Sequence, residues 1–147
     1  MKSQLDVVPH IETLWRFART LTRNDADADD LVQEALSRAL ALSHSYDPAR
    51  PLAAWLVTIV RNTYLTGETR KRAEARRMET LATLAEPYAP AVQEDRLELQ
   101  KVWAAFETLP REQAEVLHLV GILGFSYQEA AEIVGTPVGT VMSRLNR

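Results

Sequence analysis

Apolar residues recur at intervals of three and four along most of the chain, the spacing that places them on one face of an α-helix. The first runs predict helices over about residues 9–23 and 28–42, and a third helix opens at Pro51. Two more are predicted near 94–108 and after Pro110. Alternating apolar and polar positions, typical of strands, are few. The pattern therefore predicts an all-α protein.

The C-terminal residues have the pattern of a helix-turn-helix. Ser126 stands three residues before Glu129, which is the capping-box spacing at a helix start. Gly135 is the residue type that enters a left-handed turn without strain. Thr136 is then expected to cap the second helix, with Pro137 in its first position.

The second helix is predicted to present polar side chains away from Val141 and Leu145. In DNA-binding versions of the motif this helix enters the major groove, where arginine pairs with guanine and hydroxyls donate or accept. The candidate DNA-reading residues are Pro137, Thr140, Ser143, Arg144 and Arg147. The alternative is an ordinary helical hairpin with a solvated outer face. Because the sequence stops inside this helix, we expect further residues after it.

The periodicity weakens in the middle of the chain, where Pro87 and Pro90 flank a tyrosine. Such a stretch predicts a linker between two small helical domains. The predicted division is an N-terminal helical bundle at residues 1–73, a linker at 74–93 and a C-terminal four-helix domain at 94–147.

Composition limits the class of function. There is no cysteine among the 147 residues, so neither a disulfide framework nor a thiolate metal site is possible. The three histidines are scattered, and we expect structural or surface roles for them. No phosphate-binding glycine loop or nucleophile elbow occurs, so an enzyme is disfavoured, and no cofactor or metal is expected. Lacking a long apolar run or a signal pattern, the chain is predicted to be cytoplasmic, with no membrane insertion.

The net charge of −3 argues against strong DNA binding by the chain alone, because such binding depends on phosphate contacts. A larger partner could supply the missing affinity. The one basic concentration follows the third helix, on which Arg61 and Asn62 are expected to face outward. Its leading residues are Arg70, Lys71 and Arg72. They form either a solvated helix end or a phosphate-binding edge, beside a loop at 43–50 in which we expect Tyr46 to be exposed.

Acidic and amide side chains line the polar face of the second helix. They are Asp29, Asp30, Gln33 and Glu34. Carboxylates are favoured near a helix N-terminus, where the macrodipole is positive. Taken alone, this cluster is best explained by capping and solvation.

Taken together, the motifs resemble those of extracytoplasmic-function (ECF) sigma factors, the two-domain type of bacterial transcription initiation factor. The N-terminal motifs are Asp29-Asp30-Leu31-Val32-Gln33-Glu34-Ala35, Tyr46-Asp47-Pro48, Ala54-Trp55-Leu56 and Ile59-Val60-Arg61-Asn62-Thr63. The C-terminal motifs are Leu109-Pro110-Arg111-Glu112-Gln113, Phe125-Ser126-Tyr127-Gln128-Glu129-Ala130-Ala131 and Val138-Gly139-Thr140-Val141-Met142-Ser143-Arg144. Two further runs resemble the EcfG type of the general stress response, namely Leu119-Val120-Gly121 before Gly124-Phe125-Ser126-Tyr127, and Arg61-Asn62-Thr63-Tyr64.

The resemblance implies sigma domain 2 and sigma domain 4 folds, with core RNA polymerase (β′ clamp helices and β flap) and promoter DNA as partners. The acidic cluster on the second helix would dock the clamp helices. The loop at 43–50, with Tyr46, would capture an unstacked base of the −10 element, and Arg61, Asn62 and the basic residues Arg70, Lys71 and Arg72 would follow that strand. The helix from Pro137 would read the −35 element. An anti-sigma factor of the small helical NepR type is the implied regulator.

One residue departs from the family pattern: Thr66 stands where many ECF members have aspartate. The family's −10 specificity therefore cannot be transferred to this chain. Two other functions stay open. One is a protein-only decoy that binds an anti-sigma factor and never touches DNA, as PhyR-type regulators do. The other is a stand-alone helix-turn-helix regulator.

Overall fold

The computed structural model describes residues 5–77 and 97–146, and in those ranges it is helical with no strand. The α-helices are α1 Ile11–Thr22, α2 Asp25–Ala41, α3 Leu52–Arg77, α4 Leu97–Glu107, α5 Arg111–Leu117, α6 Tyr127–Val134 and α7 Val138–Leu145. Short 3-10 turns at Val8–His10 and Ser43–Ser45 and a π-helical turn at His118–Ile122 complete the order. The predicted all-α class, with two helical domains and a linker, is confirmed.

Helices α1, α2 and α3 pack together as an N-terminal bundle around an apolar interior. Its largest fully buried side chains include Leu14, Phe17 and Leu56. Each buried side chain of this size contributes roughly 1.5–3 kcal/mol through the hydrophobic effect. The periodic apolar positions of the sequence thus become one continuous core.

A tight reversal joins α1 to α2. Arg23 ends α1 in the left-handed conformation, with φ 60°, and its N–H donates to the carbonyl of Arg19 at 2.9 Å. Asn24 then caps α2 by accepting from the N–H of Asp27 at 2.9 Å. Because the cap falls on Asn24, α2 starts at Asp25, three residues before the predicted start.

Helix α3 is longer than predicted. The basic run at 70–72 was expected at its end, but the helix continues through Gly67 to Arg77. Its first half is buried in the bundle, whereas the residues from Arg70 onward are exposed. The helix therefore carries its basic residues out from the bundle on a continuous backbone.

The C-terminal domain, α4–α7, ends in the predicted helix-turn-helix. The capping box of α6 is present in both directions, each bond at 3.0 Å between Ser126 and Glu129. Gly135 adopts φ 68° in the turn. The predicted Thr136 cap is wrong: α7 starts at Val138, so the cap position falls on Pro137, which has no side-chain acceptor. The hydroxyl of Thr136 is buried and finds no hydrogen-bond partner among the described residues.

The two domains pack against each other, a contact that the sequence did not predict. Helix α1 lies against α4 and α5, and α3 lies against α6. The predicted linker lies mostly outside the described residues, and so does Arg147.

Candidate functional site

The acidic cluster of α2 is exposed, as the sequence predicted. Asp29, Asp30, Gln33 and Glu34 are all accessible to solvent. The indole N–H of Trp15 donates to Asp29 at 2.6 Å, which fixes one end of the cluster on α1. The polar face is free to meet another macromolecule across this side of the bundle.

Tyr46 is held more firmly than the sequence indicated. Its ring lies 5.2 Å from that of Trp55, centre to centre, and its hydroxyl donates to the carbonyl of Arg50 at 2.6 Å. The side chain is half-buried. Trp55 is only partly buried and supports Tyr46 from α3. The loop thus presents a braced aromatic ring.

The projecting part of α3 forms an exposed basic edge. Arg70, Lys71 and Arg72 are exposed on it, and Asn62 is exposed more than two turns nearer the bundle. Lys71 makes only a long ion pair with Glu68, at 3.7 Å. An exposed pair of that kind contributes little and leaves the cation available to a phosphate.

Arg61 does not point outward, and that expectation was wrong. Its guanidinium Nε donates to the carboxylate of Glu115 on α5, in the other domain. The two side chains are only 17% and 7% exposed. Burial raises the pKa of Glu115, although the positive charge of Arg61 acts in the opposite direction. The prediction failed because the C-terminal domain covers this face of α3.

Helix α7 is only partly available. Pro137 and Ser143 are exposed, whereas Thr140 and Arg144 are half-buried. Arg144 lies 3.7 Å from Glu112 of α5. Val141 is fully buried and anchors the helix, as its apolar spacing predicted. Ser143 thus lies on the open side of the second helix of the motif, whereas Arg144 is partly covered beside α5.

The contact between the domains is formed by side chains that sequence reasoning did not select. The Thr20 hydroxyl and Nδ1 of His118 are 2.7 Å apart and hydrogen-bonded, and the imidazole packs edge-on against Phe17. Burial, and to a lesser extent the charge of Arg16, lower the pKa of His118 to about 4. The ring is therefore neutral near pH 7.

Arg23 joins the end of α1 to the other domain. Its guanidinium donates to the carbonyls of Glu107 at 3.1 Å and Leu109 at 2.7 Å. These carbonyls end or follow α4, where backbone oxygens lack helical partners. Arg19 adds an ion pair to the Glu107 side chain at 3.2 Å.

A cleft of about 780 Å³ lies between α1 and α4. Trp15 and Trp103 meet in it edge to face, with ring centres 6.5 Å apart. Ile11, at its rim, is 39% exposed. The cleft draws walls from both domains and is largely apolar, with arginine and carboxylate groups at its edges.

Within residues 5–77 and 97–146, no group of histidine, aspartate or glutamate side chains is arranged to hold a metal ion. In the same ranges no helix combines the length and apolar character needed to cross a membrane.

Comparison with known proteins gives matches to both domains. The family described as Sigma-70 region 2 matches residues 7–77, and that described as Sigma-70, region 4 matches residues 99–147. The ECF RNA polymerase sigma factor EcfG of Rhodopseudomonas palustris (strain TIE-1) is 42% identical over 142 residues, covering 97% of this chain and 78% of that protein.

Two solved structures are similar over nearly the whole chain. The sigma factor RpoE of Bartonella quintana, crystallised with the anti-sigma factor NepR, has a TM-score of 0.81 at 33% identity, covering 97% of this chain and 88% of its own. CnrH in complex with the cytosolic domain of CnrY has a TM-score of 0.67 at 29% identity, covering 96% and 78%.

Proposed function

The chain belongs to the extracytoplasmic-function (ECF) sigma factors of bacterial RNA polymerase, and from that premise we propose how its parts divide the work. Sigma factors are transcription initiation factors, not enzymes. The proposed division is residues 1–73 for polymerase docking and the −10 element, 74–93 as linker, and 94–147 for the −35 element.

Polymerase docking is assigned to the exposed face of α2. Asp29, Asp30, Gln33 and Glu34 would meet the β′ clamp helices, and the C-terminal domain would meet the β flap. The support is that these polar groups remain in solvent although capping requires only those in the first turn. In this proposal the acidic surface binds a protein, so its negative charge does not conflict with DNA binding by other parts of the chain.

Promoter melting and −10 recognition are assigned to the loop with Tyr46 and to the basic edge of α3. Unstacking a base costs a few kcal/mol, and an aromatic surface that stacks on the base offsets that cost. Tyr46, supported by Trp55, offers such a surface already ordered. Asn62, Arg70, Lys71 and Arg72 would follow the phosphates of the opened strand, joined by Arg61 when it is released from Glu115.

Recognition of the −35 element is assigned to α7, through Pro137, Thr140, Ser143 and Arg144, with Arg147 beyond the described residues. The single observation that carries the proposed function is the helix-turn-helix, with a capping box on its first helix and a partly exposed second helix, in a chain that also has an exposed basic edge in a sigma region 2 domain.

Regulation is assigned to an anti-sigma factor. Because the similar RpoE was solved with NepR, we propose a small helical partner of that kind, in a cytoplasmic general stress response. The cleft between α1 and α4 supports this: its tryptophan walls suit the apolar face of an amphipathic helix.

The test is in vitro transcription with core polymerase on promoters selected from a genomic library. The chain is expected to initiate only when core polymerase is present. Replacing Arg144 with alanine should reduce initiation about 5- to 150-fold, because a base-reading arginine is worth about 1–3 kcal/mol. Lys101→Ala is the matched control: it removes one exposed cation from α4, away from the proposed DNA surface, and should leave initiation unchanged.

The rival functions predict different results. A decoy would bind an anti-sigma factor but support no initiation, and Arg144→Ala would have no effect on it. A stand-alone regulator would shift its operator in a gel without polymerase. Either result would contradict the proposed function.

A further inference from the structure

We propose that Arg61 and Glu115 form a latch that holds the free chain closed and withdraws a promoter-contacting cation until polymerase opens it. The inference rests on the proposed function, since it assigns Arg61 to the −10 strand. The inference adds a closed state of the free protein, in which Arg61 is paired with Glu115 and cannot contact DNA.

The latch joins the two domains at a buried position. Arg61 lies on α3 and Glu115 on α5, 54 residues apart, and their hydrogen-bonded pair is largely shielded from water. Asn62, the next residue on α3, is exposed. The domain contact therefore buries Arg61, one of the proposed DNA-binding residues, and leaves its neighbour Asn62 exposed.

The pairing is mutually exclusive with DNA binding. A guanidinium buried against Glu115 cannot also approach a phosphate, so the strand and the carboxylate compete for Arg61. Phosphate pairing by arginine is strong and geometrically specific, as carboxylate pairing is. Either partner can satisfy the guanidinium, but only the carboxylate keeps the two domains together.

The closed arrangement is also too compact for a promoter. Helix α3 packs directly on α6, the first helix of the helix-turn-helix. The −10 and −35 elements are by definition about 25 base pairs apart, roughly 80 Å along B-form DNA at about 3.4 Å per base pair. A chain with these helices in contact cannot span both elements, so promoter recognition requires the latch to open.

The rest of the contact is mixed: Trp15 meets Trp103 across the domains, and several polar groups are also paired there. The hydrogen bond between Thr20 and His118 and the two bonds from Arg23 to backbone carbonyls are polar. When the domains part, water replaces each of these partners, so their net contribution to closure is small.

The experiment breaks the latch from either side in the full chain. Glu115→Gln leaves Arg61 present and free, whereas Arg61→Gln breaks the same pair and removes the cation. Because the chain has no cysteine, Ser37→Cys and Gln128→Cys, both at exposed sites, introduce a unique pair of fluorophore positions for energy transfer between the domains.

DNA binding is measured in parallel, without polymerase, by the anisotropy of a labelled mixed-sequence single-stranded DNA of about 12 nucleotides. Both variants are expected to lose energy transfer relative to the parent. If about one parent molecule in ten is open, Glu115→Gln should bind the oligonucleotide about tenfold more tightly, because apparent affinity scales with the open fraction. Arg61→Gln should show a smaller gain or none.

Thr20→Val provides a second route to opening if Glu115→Gln alters the fold, which far-UV circular dichroism would reveal. It removes the contact to His118 and touches neither latch residue, so it should also lower energy transfer and tighten DNA binding. Unchanged energy transfer in Glu115→Gln and Thr20→Val would overturn the latch. Opening without tighter DNA binding, or an equal gain in Arg61→Gln, would overturn the withdrawal of Arg61.

Transcription with core polymerase separates this inference from the proposed function. The parent and Glu115→Gln should both initiate, since polymerase opens the chain in either case. Failure of both would refute the proposed function whatever the fluorescence shows. Initiation by both, with no change in energy transfer, would refute only the latch.

Discussion

The interior of the N-terminal bundle and the contact between the two domains are formed by the same helices but by different groups. On their inner faces, α1 and α3 contribute buried apolar side chains such as Leu14 and Leu56. On the faces toward the C-terminal domain they contribute hydrogen-bonding groups, Thr20, Arg23 and Arg61, beside apolar and aromatic contacts such as that of Trp15 with Trp103. One pair of helices thus carries two kinds of surface.

The difference teaches which contacts are permanent. Apolar side chains have no comparable partner in water, so the bundle interior loses its full burial energy on exposure. Charged and polar groups are rehydrated when they separate, so exchanging a protein partner for water changes the free energy little. The bundle is therefore expected to persist, and the polar share of the domain contact lowers the cost of the opening that spanning a promoter requires.

The largest test of this contrast is Leu56→Ala. Leu56 is 1% exposed, and its truncation should lower the free energy of unfolding of the bundle by about 2–5 kcal/mol, since it leaves a cavity in a packed core. Urea denaturation followed by circular dichroism measures the loss. Leu40→Ala, at a site 58% exposed, is the control and should change stability by less than about 0.5 kcal/mol. Similar losses in both variants would contradict a tightly packed bundle interior.

A smaller effect is expected from protonation of His118, which should open the domains. Its pKa is lowered to about 4 in the closed chain, while an exposed histidine titrates near 6.5. Between these values the open form binds more protons, so closure is weakened as pH falls below about 6.5 and regains full strength above it. The shift corresponds to roughly 2 kcal/mol against closure at about pH 5 relative to pH 7.

Energy transfer between the domains, measured from pH 7 to 5, tests this expectation. Glu115 titrates in the same contact, where burial raises its pKa and the charge of Arg61 opposes that rise, so its own protonation also changes closure with pH. His118→Gln keeps the glutamate and removes only the imidazole, so the difference between parent and variant isolates His118. A parent that closes further on acidification, or that matches His118→Gln at every pH, would show that the imidazole does not control the contact.

Local rules predicted much of the fold because its elements depend on neighbours in sequence. The capping box at Ser126 and the left-handed Gly135 required only residues three or four positions apart. The same rules failed at Thr136, where a shift of one residue in the helix start moved the cap to Pro137. Spacing identifies a helix better than it identifies the residue at which the helix begins.

Residues at the domain contact could not be assigned in this way. Arg61 follows Val57 by four positions and precedes Tyr64 by three, so all three lie on a second face of α3. From sequence alone, a charged residue on a second helix face is predicted to be exposed unless its partner is known. Glu115 and His118 lie 54 and 98 residues from their partners Arg61 and Thr20, and no periodicity connects such distances. The exposed acidic cluster needed no distant partner, and its exposure was predicted correctly.

The most discriminating small change is Arg23→Gly, because it should stabilise the bundle interior and weaken the domain contact. Arg23 has φ 60°, a conformation that costs a residue with a side chain about 1 kcal/mol and costs glycine nothing. Hydrogen exchange of the buried amides in α1 should therefore slow, reporting a bundle more stable by about 0.5–1 kcal/mol. The two bonds to the carbonyls of Glu107 and Leu109 are lost at the same time, so energy transfer between the domains should fall.

Arg23→Lys retains a cation and the strained backbone but loses the forked donor, so it should open the domains without slowing exchange. If Arg23→Gly weakened both surfaces or strengthened both, the bundle interior and the domain contact would have to be treated as one cooperative unit, and reversible opening would lose its physical basis.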